Sequence, residues 1–281
     1  MKSMRYLTVL GSVLALPLLL TGCVINIGSC AMTAQDEREV DLSAPLEPGL
    51  AFATKTHNGS ITITGADTDQ CSVHAVIVAR AMTEEAAQEL AEQTTVTLEQ
   101  SGDKLIAKVT RPQKLVNKTV SVNLTVTLPH ETSLALETHN GAVDMTDSEG
   151  KVDATTHNGR VTGRRITGDA RLHTHNGSVR CTEFVGHANM STHNGSVNVA
   201  YAETAPAVCD IRLVTHNGDV ELQTPPNYSA KINASTHNGS IRTDLPVQVV
   251  GKVSKRNLRG TIGEGEGNLH LETHNGSVRI K

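Results

Sequence analysis

The chain has 281 residues, 38% of them apolar, and a formal net charge of −4 with its 13 histidines neutral. With three Tyr, two Phe and no Trp, its core has to be assembled from Val, Ile, Leu and Ala, which suits thin β-layers better than a broad catalytic α/β domain. The acidic balance and the lack of a basic stripe or an aromatic platform argue against nucleic acid as a partner.

Residues 1–22 read as a leader outside the fold. Lys2 and Arg5 form a basic start, Tyr6 to Leu20 is an apolar run too short to span a bilayer as a helix, and Leu20-Thr21-Gly22-Cys23 follows. This stretch resembles a bacterial lipoprotein signal with its lipobox. The resemblance implies cleavage before Cys23 and lipid attachment at the thiol and new amino terminus of Cys23. The other reading is an ordinary secretory signal with an incidental cysteine. Each buried acyl CH₂ contributes about 0.8 kcal/mol, so a multiply acylated Cys23 makes the membrane a partner that the chain is anchored to without spanning. Val24 stands where an acidic residue would redirect sorting, which points to the outer membrane in a Gram-negative cell envelope. Loss of the leader removes two positive charges. Residues 23–44 read as a mostly polar tether.

Residues 45–130 read as a β-rich section with one helix. "TVTLEQ", "DKLIAKVT" and "TVSVNLTVTLP" alternate as strands, whereas "MTEEAAQELAEQ", 82–93, has helical composition, with Thr83 placed to cap it and Glu84 and Glu85 in the first turn. The cysteines beyond Cys23, namely Cys30, Cys71, Cys181 and Cys209, form no CxxC pair. In a disulfide-permissive compartment Cys181 and Cys209 are either buried small residues or a disulfide.

Residues 131–281 are organised by a repeat. Thr-His-Asn-Gly occurs eight times in the chain, with its Asn at Asn58, Asn140, Asn158, Asn176, Asn194, Asn217, Asn238 and Asn275. The array intervals of 18, 18, 18, 23 and 21 mark a solenoid whose coils bury their apolar faces against their neighbours. The last interval, 37, is close to two periods, and within it Asn257 and Gly260 of "SKRNLRGTI" look like a worn copy of the turn. Residues six and four before the Asn are apolar in nearly every copy, as in Leu134 and Leu136 or Ile211 and Leu213, and Thr stands two before it. Apolar residues return three and five places after it, as in Val197 and Val199. A strand therefore enters each motif and another leaves it, both facing the core. Asn-Gly tolerates positive φ and commonly makes a hairpin; the regular period favours a corner between two faces of a coil, with stacked Asn amides bonding along the pile. The Asn residues are then structural caps.

The chain also resembles a known group, the DUF4097 family of bacterial envelope proteins, described as adhesin-like with β-strand repeats. The resemblance covers about residues 45–281 and rests on "ATKTHNGSITITG", "SVNLTVTLPHETSLALETHNGAV" and the Asn-Gly-Ser-Val turns that follow. It implies an all-β, right-handed parallel β-helix-like solenoid at the cell envelope, and no catalytic residues. The uniform His before the turn departs from the family pattern.

That His lies one residue before the Asn and should point outward, so His139, His157, His175, His193, His216 and His237 form an exposed column with a rise of about 4.8 Å. His173 and His270 thicken it locally. Zn–N bonds of about 2.0–2.1 Å would let neighbouring rings tilt to share a Zn²⁺, Ni²⁺ or Cu²⁺ ion, and protonation would set like charges side by side. The plainer reading is an ancestral repeat unit retained as copies multiplied, with no cofactor. Three functions follow: a non-catalytic, membrane-anchored binding or scaffold protein taking an unknown protein or surface ligand; a metal-binding or pH-responsive surface protein; and a polysaccharide lyase on a β-helix. The lyase is disfavoured by scattered carboxylates such as Asp153, Asp219 and Glu221. Envelope-stress sensing through a partner is a further role the resemblance permits.

Overall fold

A computed structural model describes residues 32–47, 49–249 and 254–281. The leader, the lipid-attachment position Cys23 and Cys30 lie outside the described residues. The first section comprises β1 (Ala34–Pro45), β2 (Ala51–Lys55), β3 (Ile61–Ala66), β4 (Gln70–Ala81), α1 (Glu84–Gln93), β5 (Thr95–Ser101), β6 (Lys104–Thr110) and β7 (Thr119–Pro129). The array runs on through β8 (Leu134–Asn140) and β9 (Val143–Ser148), β10 (Val152–Asn158) and β11 (Val161–Ile166), β12 (Ala170–Asn176) and β13 (Val179–Phe184), β14 (Ala188–Asn194) and β15 (Val197–Tyr201), and β16 (Ile211–Asn217) and β17 (Val220–Gln223). It ends with β18 (Ala230–Asn238), β19 (Ile241–Thr243), β20 (Gln248–Val249), β21 (Asn257–Ile262), β22 (Gly267–Asn275) and β23 (Val278–Ile280).

The strands form two long sheets, one of 11 strands and one of 12. Strands entering a corner pair in parallel in one sheet and strands leaving it pair in parallel in the other, in strict register: Leu134, Val152, Ala170, Ala188 and Ile211 are successive partners. The alternation read from the sequence is the burial pattern, because residues facing the gap between the sheets are buried and their neighbours face water. Gly163, five places after Asn158 where most other copies carry an apolar side chain, makes room for its neighbours: a Cβ there would meet Cys181 Sγ at 3.0 Å and Ile166 Cγ1 at 3.1 Å. The array is a parallel β-solenoid.

Three expectations are corrected. The tether of 23–44 gives way at Ala34 to β1, a 12-residue strand antiparallel to β4. Its alternation is hidden by charges at inward positions, of which Arg38 is held by donating from Nη2 to the Thr94 carbonyl at 2.5 Å. Those charges also suit an edge strand that must not recruit another chain. The second correction concerns the boundary at 130, because β2 and β3 stack directly on β8 and β9. The first Thr-His-Asn-Gly copy is thus a member of the array. Thr54, four before Asn58 where the other copies are apolar, donates its hydroxyl to the Ala107 carbonyl of β6 at 2.9 Å.

The third correction is the order of coils. β22 and β23, the last strands in sequence, lie between the coil of β16 and β17 and the coil of β18 and β19. The chain leaves one coil vacant, builds the end of the stack, and returns to fill the gap. Asp210 Oδ1 receives the backbone and side-chain N–H of Asn268, both at 2.9 Å, while Ser229 Oγ receives the backbone N–H of Glu264 and Gly265, both at 3.1 Å. The supposed worn turn at Asn257 and Gly260 belongs to β21, which pairs antiparallel with β18 and β20 and caps that sheet.

At the other end α1 buries Ala87, Leu90 and Ala91, and Thr83 Oγ1 caps it by accepting from the Ala86 N–H at 3.2 Å, as the sequence predicts. Cys71, Cys181 and Cys209 are free, buried thiols, so the Cys181–Cys209 disulfide is absent. Burial pushes Cys71 and Cys181 up to about 12, leaving both inert.

Candidate functional site

Each residue of Thr-His-Asn-Gly forms its own row across the coils. The Thr side chains point inward, and all but Thr56, which donates to the Asn58 carbonyl, donate to the carbonyl of a Gly one coil away, as in Thr156 to Gly141 at 2.9 Å, Thr174 to Gly159 at 2.8 Å, and Thr192 to Gly177 at 2.7 Å. The Asn amides form one continuous chain in which Asn140 donates to Asn58, Asn158 to Asn140, Asn176 to Asn158 and Asn194 to Asn176, all at 2.7–2.8 Å. It continues from Asn217 to Asn194, from Asn275 to Asn217 and from Asn238 to Asn275 at 2.7–2.8 Å. All eight Asn of the repeat are members of this chain.

Each Asn-Gly lies at a corner where the chain passes from one sheet to the other, and Gly59, Gly195 and Gly218 take positive φ there. None of these Asn residues has positive φ. The glycine is required by close approach, because a Cβ on Gly159 would lie 1.9 Å from the Gly141 carbonyl oxygen, and on Gly177 2.0 Å from that of Gly159. The second corner of three successive coils is where bulky left-handed residues sit, at Asp147 (φ 58), Arg165 (φ 51) and Glu183 (φ 54). Asp147 and Arg165 form a bidentate pair at 2.5 and 2.8 Å, and the Arg165 guanidinium holds the Asp147 carboxyl below its usual range.

The His row faces solvent. Its rings stack in the order His57, His139, His157, His175, His193, His216, His274, His237, with centroids 4.6–4.9 Å apart and planes within 4° of parallel. All six residues of the expected column are in it. His57 and His274 join them, and His274 separates His216 from His237. The same tetrapeptide marks all eight, so His57 and His274 could have been assigned from sequence; the order could not.

In this stacked state the ring planes are parallel, and among the described residues no three His, Cys, Asp or Glu side chains converge as a metal site. Two of the ring groups titrate below the ordinary histidine range. Desolvation lowers His57, helped by Arg111 and His139, and desolvation lowers His173, helped by His175 and Arg171. His173 Nδ1 lies 2.9 Å from Ser191 Oγ.

Two shallow grooves adjoin the column. One, of about 450 Å³, is lined by His193, His216, His274 and His237 together with Val214 and Glu272. The other, of about 460 Å³, crosses the outer face of the same sheet between Arg171, Arg212, His187 and His270. No helix among the described residues is long and apolar enough to cross a membrane.

No curated protein matches the chain. Among solved structures it is similar to a "putative cell adhesion protein" from Clostridium sporogenes ATCC 15579, at 9% identity over 87% of this chain and 99% of that one, with a TM-score of 0.39. It is also similar to a "putative adhesin" from Bacteroides fragilis NCTC 9343, at 9% identity over 87% and 97% of the two chains with a TM-score of 0.38. A "putative lipid binding protein" from Parabacteroides distasonis ATCC 8503 is similar at 9% identity over 89% and 97%, with a TM-score of 0.26. The family match is specific to the repeats, since residues 148–281 match Toastrack DUF4097.

Proposed function

We propose that the chain is a non-catalytic binding scaffold of the cell envelope, anchored through lipid on Cys23 and presenting the solenoid to a protein or surface ligand. The observation that carries this reading is the in-register stack itself. Its outer faces are rows of side chains repeated at each coil, a geometry suited to extended contact. The charges on these faces pair between coils, as in Arg160 with Asp144 at 3.1 Å and Lys281 with Glu221 at 2.6 Å.

The test compares cells producing the chain with cells producing Cys23→Ser. The wild type should partition with membranes, carry a lipid-sized mass increment on Cys23, and attach to immobilised envelope material. The variant should be released and lose attachment. Equal partitioning and attachment, or turnover of polygalacturonate by the purified chain, would oppose the reading.

The eight-ring column favours a second reading, in which the same protein responds to pH or takes up Zn²⁺, Ni²⁺ or Cu²⁺. Stacked imidazoles repel when neighbours are protonated, and neutral imidazoles bind borderline metal ions.

A further inference from the structure

The insertion of the C-terminal coil assembles a group of side chains that the repeat alone would not. On β22 the residues His270, Glu272 and His274 alternate and share the outer face, spaced by about 6.8 Å per two residues of extended chain. The flanking strands place His216 beside His274 on one side and His237 beside it on the other, at ring centroid distances of 4.7 and 4.6 Å. Glu272 itself lies opposite Val214 and Ser235, neither of which competes for its charge. Among the described residues its only ionic contact is with His270, whereas Glu137, in the same row, is paired with Lys55. Arg212 lies opposite His270 and makes no ion pair with Glu272 within 4.0 Å.

We propose that Glu272, with His270, His274 and an imidazole from His216 or His237, forms a binding site for a divalent transition cation such as Zn²⁺ or Ni²⁺. This deepens the metal reading of the column and rests on it, by assigning the ion to one end. His270 Nε2 and Glu272 Oε2 are 3.2 Å apart. Two ligands at 2.0–2.2 Å from a tetrahedral ion are separated by about 3.4 Å, so this pair is already at the required bite. His274, His216 and His237 are exposed and line one groove with Glu272, whereas His270 lines the neighbouring groove. In the stacked arrangement only His270 and Glu272 are at this distance, so binding requires the rings of His274 and of His216 or His237 to leave the stack. The carboxylate supplies a charge that mid-column rings lack, because His157 and His175 have Thr155 and His173 in the row beside them.

The test is calorimetric titration of the chain with ZnCl₂ and NiCl₂ at pH 7.5, in the wild type, Glu272→Gln, His274→Gln and, as a mid-column control, His157→Gln. All three substituted positions are exposed, and matching circular dichroism spectra establish that each variant folds. The expected result is one ion per chain, affinity lowered at least tenfold by Glu272→Gln and by His274→Gln, and affinity unchanged in His157→Gln. Equal weakening by His157→Gln, with Glu272→Gln unaffected, would overturn the Glu272 site while leaving metal uptake by the column standing. No binding in the wild type would overturn both.

Discussion

Asn275 donates its side-chain amide to Asn217 at 2.7 Å although 58 residues of chain separate them, and Asn238 in turn donates to Asn275 at 2.7 Å. The last repeat in sequence is therefore an interior member of the stack. The amide chain and the imidazole column run through it without a break.

The amide chain should be strongest where it is bonded on both sides. Asn176→Ala removes one bond given to Asn158 and one received from Asn194, and should cost about 2 kcal/mol. Asn238→Ala, at the end of the chain, removes one bond and should cost about 1 kcal/mol. Urea denaturation of the two variants should separate them in that order, and equal losses would show that the amides act independently of position.

The corner glycines should be intolerant for a steric reason. A Cβ on Gly159 meets the Gly141 carbonyl oxygen at 1.9 Å, backbone that cannot yield without breaking register, so Gly159→Ala should cost about 3 kcal/mol or more. Gly102 is the converse case, with φ +62 and open space around it, and Gly102→Ala should cost about 1 kcal/mol from backbone strain alone. The comparison is made on the same denaturation midpoints.

Much of this architecture is legible in the sequence. The period, the inward rows of Leu136, Leu172 and Leu213, the inward Thr and the outward His follow from alternation about each Asn-Gly. The coil order does not, because the coils present the same Thr, Asn and Gly edges and any could stack on any other. Order is decided by connectors whose contacts are not periodic, above all Asp210 holding Asn268 and Ser229 holding the turn before β22. β1 was hidden for the opposite reason, since Asp36 and Arg38 occupy inward positions that alternation reserves for apolar residues. The place of Glu272 in the candidate site depends wholly on the coil order.

Stability should fall with acid through the imidazoles that folding partly desolvates. His57 and His173 titrate lower in the folded chain than the ordinary value of 6.5, so the unfolded chain binds more protons between the two values. Their contribution is present above pH 6.5 and is lost as pH falls from there through the lowered folded values. Thermal melting at pH 7.5 and pH 5 should show the loss, and His173→Gln should reduce the difference between the two. A variant with an undiminished difference would remove His173 from this account.

Deleting residues 267–281 should do more than shorten the stack. It removes the coil between β16 and β18, so hydrogen exchange should show loss of protection across residues 230–238 as well as at the new terminus. If the last repeat were a terminal coil, residues 230–238 would keep their protection.

The most direct measurement is disulfide trapping across the proposed neighbours. Val214 and Glu272 face each other on adjacent parallel strands, about 4.8 Å apart, whereas Val214 and Ser235 are two strands apart, about 9.6 Å. A disulfide needs Cα atoms within about 7 Å. In a background with the native cysteines replaced by Ser or Ala, Val214→Cys with Glu272→Cys should cross-link on mild oxidation and Val214→Cys with Ser235→Cys should not. The reverse outcome would place the coils in sequence order and dismantle the cluster around Glu272.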